Sequence, residues 1–178
     1  MALACQFSEN AQLLAFVLQE GASWNADLLQ MLESAFGRIR HLGKLFPFNR
    51  TNYYEPEMGT NLFRGVLSFE TLVAPETISA EKQKSNALEI EFSESKKRKV
   101  NIDVGYMDLD KVVLPSFKRG PFKLYAGEGV WLDMLLTYAK GNFKPTAWAF
   151  EDFKQDFYTH DLILIREKFK KSFSKKGK

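Results

Sequence analysis

Lys99-Val100-Asn101-Ile102-Asp103-Val104-Gly105-Tyr106 decides the fold, because it alternates apolar and polar residues without a fault. Successive side chains of a strand point to opposite faces, so Val100, Ile102, Val104 and Tyr106 are predicted on one face and Asn101, Asp103 and Gly105 on the other. Before it, Pro75 and Glu76 open a helix running to about Lys96, with Ala80, Ala87, Leu88 and Phe92 inward and lysines and glutamates outside. Leu62 to Leu72 alternates again, Phe63, Leu67 and Phe69 against Arg64, Ser68 and Glu70, the pattern of a half-exposed strand. Pro47 to Gly59 is a loop, and Arg38 to Phe48 a strand. Ser23 or Asn25 caps a helix whose Leu28, Leu29, Leu32, Ala35 and Phe36 share a face and which Gly37 ends. Gln12 to Leu18 is a continuous apolar run, suited to a buried strand.

On the C-terminal side, Phe122 to Tyr125 and Val130 to Tyr138 read as a hairpin joined through Ala126-Gly127-Glu128-Gly129. Its second arm sets Val130, Leu132, Met134, Leu136 and Tyr138 against Trp131, Asp133 and Thr137. Tyr158, Leu162, Ile165 and Phe169 recur at helical spacing and predict a closing helix. The order is β-α-β-β-α-β, then a hairpin and a helix, and its first six elements match the split β-α-β plan. The expected fold is α+β: a ferredoxin-like split β-α-β core with an added β-hairpin and a C-terminal helix. A different mixed sheet with helices on both faces fits the same order. Residues 1–11 read as a loose leader, 12–169 as a single domain and 170–178 as a lysine-rich disordered tail.

Composition narrows the function classes. With 45% hydrophobic and 26% charged residues, the 178-residue chain is a soluble globular domain rather than a disordered, collagen-like or membrane protein. The formal charge is +3, yet Lys168 to Lys178 contains six lysines and no acid, so the remainder is net acidic. The single cysteine, Cys5, forms no internal bridge, and no basic segment or apolar run directs export, so the cytoplasm is the expected compartment. Lys96-Lys97-Arg98-Lys99 and the tail read as a cationic helix end and a solubilising extension rather than a nucleic-acid interface. No phosphate-cradling Gly-x-x-x-x-Gly-Lys-Ser/Thr loop occurs, and Gly127-Glu128-Gly129 serves a turn instead. His41 and His160 lie far apart without ligand-spaced partners, which argues against a zinc site or a histidine-based triad.

Several separated blocks carry a family resemblance. They are Thr51-Asn52-Tyr53-Tyr54-Glu55-Pro56-Glu57-Met58-Gly59, Leu67-Ser68-Phe69-Glu70, Ser85-Asn86-Ala87-Leu88-Glu89 and Arg98 through Tyr106. Lys118, Leu124-Tyr125, Gly129, Gly141-Asn142-Phe143, Trp148 and Asp152 follow in order. From about Gln12 to Phe169 the chain resembles the prokaryotic domain of unknown function family 4416. It departs locally, with Asn52 where the family usually has Asp, Val104 for Pro and Phe153 for Tyr. The resemblance implies no reaction. A GTP-binding label that some members carry gains no support from these residues, since an Asn-Lys-x-Asp element is also absent.

The residues themselves point to one candidate site. Tyr53, Tyr54, Glu55 and Glu57 crowd a loop fixed by Pro56, and tyrosines stack and donate while carboxylates accept or bind cations. Polar strand faces add Arg64, Asn101, Asp103 and Asp133, and Lys118 precedes the hairpin. The expected function is binding of a small phosphorylated ligand or nucleotide, with Arg64 and Lys118 on phosphate and Glu55, Glu57 and Asp103 on a divalent cation. The alternative is a protein–protein interaction or structural module without catalysis, displaying Trp131, Trp148 and several phenylalanines to a partner or a second copy. No nucleophile or general base is assignable from the sequence.

Overall fold

The computed structural model describes residues 8–95 and 97–174; Cys5, Lys96 and the last lysines of the tail lie outside the described residues. The fold is α+β: among the described residues there are one large antiparallel sheet and four α-helices. β1 (Ala11–Glu20) leads to α1 (Ala26–Phe36), whose start is fixed by Asn25: its side chain accepts from the Leu28 N–H. Gly37 follows the helix with φ 92°, a conformation that favours glycine. β2 (Ile39–Leu42) and β3 (Phe46–Pro47) come next, then a single helical turn α2 (Glu55–Met58) and the long β4 (Leu62–Val73). α3 (Ile78–Glu91), β5 (Val100–Met107) and β6 (Lys111–Ser116) follow. The chain ends with β7 (Leu124–Gly127), β8 (Val130–Ala139), β9 (Asn142–Pro145) and α4 (Thr159–Ser174).

The sheet order is β2-β4-β1-β5-β6-β8-β7, with β3 on β4 and β9 on β8. Odd residues of β1, with Val100, Ile102, Val104 and Tyr106 of β5, pack under α1 and α3 around Leu28, Leu32, Phe36, Ile78 and Leu88. Even residues of β1, Leu14 and Phe16, face the other way and meet Phe153, Tyr158, Leu162 and Ile165 at and before α4. Helices therefore cover both faces, but every strand pairing among the described residues is antiparallel, so the sheet they form is not mixed. The predicted faces of β5 and the inward stripe of the closing helix agree with the structure: Tyr158, Leu162, Ile165 and Phe169 are all buried.

Four expectations are corrected. The strand expected over Arg38 to Phe48 is broken at Gly43, whose N–H donates to Val66 O at 2.9 Å while a Cβ there would strike that oxygen and the Asp161 carboxylate. The strand expected to be half-exposed at Leu62 to Leu72 is buried on both faces over much of its length, because α4 packs where water was expected. β6 and β9 were not anticipated. α3 ends at Glu91, and its inward residues are Ile78, Ser79, Lys82, Ser85, Leu88 and Glu89, with Ala80 and Ala87 outside. Among the described residues, no helix is long and apolar enough to cross a membrane.

Candidate functional site

The site begins as a gap in the sheet. β5 and β6 pair only at Tyr106↔Val113 and Met107↔Val112, whereas β6 stays on β8 as far as Ser116↔Trp131. Beyond that short contact, no further ladder pair joins β5 to β6 among the described residues. Side-chain chemistry then replaces the missing ladder: the Ile102 N–H donates to Glu89 Oε1 at 2.6 Å from α3. A cavity of about 690 Å³ opens here, of the size that takes a small organic ligand. Its walls come from β4, β5, β6 and α3, from the loops before α2 and before β7, and from the 148–152 segment.

Two arginines bind the carboxylates of this region. Arg64, 5% exposed, donates from Nη1 to Asp152 Oδ2 at 2.7 Å and from Nη2 to Asp103 Oδ2. Burial opposes its charge, but Asp152 and Asp103 outweigh that and hold the guanidinium above its ordinary range. Asp152 Oδ2 also accepts from the Tyr158 hydroxyl at 2.8 Å. Arg98 holds Glu57 in a fork, with Nε on Oε1 at 2.9 Å and Nη2 on Oε2 at 2.8 Å, and reaches Glu89 Oε2 and Asn101 Oδ1, each at 3.2 Å. The Arg98 bond holds the Glu57 carboxyl below the usual carboxylate range. Desolvation instead raises Glu89, despite its bonds from Ile102 and Arg98.

The cations at the cavity wall are differently placed. Lys82 is 8% exposed on the inward face of α3, with its ammonium 5.7 Å from the Phe117 ring centre. Lys118 Nζ donates to the Tyr53 hydroxyl at 2.7 Å and lies 4.6 Å from that ring, which lowers the Tyr53 phenol's pKa. Among the described residues, no carboxylate lies within ion-pair distance of Lys82, Lys118 or Arg50. Lys123 is 3.7 Å from Asp133, whose other oxygen accepts from Trp148 Nε1 at 3.0 Å. Burial raises the Asp133 carboxyl, against the pull of Lys123. Tyr54 is pushed up to about 12, chiefly by burial.

Of the residues singled out from sequence, Tyr53, Tyr54, Arg64 and Asn101 line this cavity, and so do Asp103, Lys118 and Asp133. Glu55 and Glu57 do not. Glu55 is exposed on α2, and Glu57 is taken up by Arg98. The expected cation set of Glu55, Glu57 and Asp103 is therefore not assembled: Glu57 and Asp103 each sit on an arginine, and no cluster of three His, Cys, Asp or Glu suited to a metal exists among the described residues. Sequence reasoning missed Lys82, Asn86 and Glu89 as one polar stripe along α3. Their spacing of four and three residues was the available signal. Trp148, which the alternative reading placed on the surface, is 37% exposed, with its indole bonded to Asp133 and stacked on Phe122 at 4.6 Å.

No curated protein and no solved structure matches the chain. The model of a family described as a domain of unknown function, DUF4416, matches residues 9–169, nearly the whole of the chain and all of the cavity wall, and the chain belongs to that family.

Proposed function

We propose that the protein binds a small phosphorylated organic ligand in the cavity between β5 and β6. The observation that carries this reading is Lys82. Its side chain is largely buried against the cavity and Glu89 acts on it only from beyond ion-pair distance, so a cavity anion is the close partner its charge lacks. Lys118 and Arg50 line the same cavity from two loops, which adds cations to the lining available to a phosphate. The half-exposed Trp148 and the exposed Phe150 supply apolar surface for the body of the ligand. We place this binding in the cytoplasm, consistent with a chain whose one cysteine is Cys5.

The test is calorimetry and thermal shift with inorganic phosphate, alkyl phosphates, sugar phosphates and nucleotides. Stabilisation by at least one phosphate compound is expected. Lys82→Met, which removes the ammonium and keeps an unbranched side chain, should weaken that binding about tenfold or more. A fold that ignores every phosphate compound would remove this reading.

The scaffold we infer is a ferredoxin-like split β-α-β core extended by β6 to β9. The order β2-β4-β1-β5 supports it, as does the packing of α1 and α3 on one sheet face. The extension creates the site, because the cavity lies at the join between β5 of the core and β6 of the addition.

A further inference from the structure

Within the cavity the charges are separated. Arg64 faces two carboxylates, so that cluster carries one negative charge in excess. The excess is not shared equally. Asp152 is 5% exposed at its side chain, and its Oδ2 accepts from both Arg64 and Tyr158. The Asp103 side chain is 25% exposed and lines the cavity; its Oδ2 is on Arg64, while its Oδ1 has no hydrogen-bond donor among the described residues. Asn101, two residues away on the same face of β5, gives only its oxygen to Arg98. The β5 side of the cavity therefore presents an acceptor with surplus negative charge. Lys82 and Lys118, from α3 and the loop after β6, present surplus positive charge.

Resting on the reading of the cavity as a phosphate site, we propose that its ligand is bipolar: an anionic group held by Lys82 and Lys118, and a protonated amine held by Asp103. Asp103 and Lys82 are partly removed from water, so each gains more from a ligand ion than it would at an open surface, while Lys118 adds an exposed cation. A ligand with only the anion leaves Asp103 uncompensated, and the amine adds a charge-assisted bond to its free oxygen.

Two matched series of probes test this without any variant: ω-aminoalkyl phosphates and plain alkyl phosphates of increasing chain length, titrated into the wild-type protein by calorimetry. At the length that spans the cavity, the amino compound should bind about tenfold tighter than its alkyl partner. Asp103→Asn should erase that difference, with the melting curve confirming that the variant is folded. Equal affinities for the two series at every length would overturn the bipolar ligand and leave the phosphate site standing, as would a hydroxyalkyl phosphate that binds as tightly as the amine. Binding by no phosphate at all would overturn the site itself.

Discussion

Arg98 and Arg64 show how the fate of a carboxylate depends on its neighbour rather than on its place in a motif. Glu57 stands in the loop that drew attention in the sequence, yet its charge is spent on Arg98, 41 positions away. That partnership is invisible to spacing, which sees only short separations, whereas Arg64, Asn101 and Asp103 were legible because strand alternation marks a face directly. The Glu57 contact makes a pH prediction. Its pKa in the folded protein is lowered from the ordinary 4.5 by the hydrogen bond from Arg98, so its stabilisation is present above 4.5 and is lost as pH falls through the depressed native value. Glu89 is raised by burial and has the opposite sign: what it contributes is present at low pH and declines as pH rises through its elevated value. Comparing wild type with Glu57→Gln largely cancels the Glu89 part. Both Glu57 and Arg98 side chains are about a third exposed, so the difference in unfolding free energy should stay under about 1 kcal/mol near neutrality and close in acid. Urea denaturation from neutral to acid pH measures it; a gap that widens in acid would contradict the assignment.

Among the elements, β1, α1, β5 and α4 were legible because their periodicity and their burial agree. α3 was not. Lys82, Ser85 and Glu89 share its inward side, and a helix with so polar a stripe reads as solvated until it is known to border an opened sheet. β6 escaped for a related reason: Pro115 has no N–H to give to a ladder and demotes a strand on sequence alone. Pro115 nevertheless sits in register with Leu132 of β8 while the β5 side of the strand has already parted. α4 has the clearest energetic role, since it covers the second face of β1 and β4 that sequence reasoning left to water. Ile165 is fully buried there, and Ile165→Ala should cost about 2–5 kcal/mol by removing apolar contact and leaving a cavity. The shift in denaturant midpoint measures that loss, and phosphate affinity should be unchanged. A loss below about 1 kcal/mol would mean that α4 is not the cover it is taken to be.

At the scale of the whole molecule, the cavity exists because two parts of one sheet meet over a very short length. Gly105 sits at the point where they part. A Cβ on Gly105 would fall on the Val113 carbonyl oxygen and the Leu114 side chain, so only glycine lets β5 come close enough to β6 for Tyr106 and Val113 to pair. The requirement is one of approach rather than of backbone angle. Gly105→Ala should therefore push β6 outward at the root of the gap, costing about 1–3 kcal/mol as an overpacked contact. Because Leu114–Ser116 forms the wall opposite Asp103, the same substitution should also weaken binding of whichever aminoalkyl phosphate the wild type prefers. Ile165→Ala supplies a comparison, since it lowers stability from α4 without adding an atom between β5 and β6. If Gly105→Ala loses stability and keeps full affinity, the parting of β5 and β6 does not shape the site. Loss of both together would tie the parting of β5 and β6 to what the protein binds.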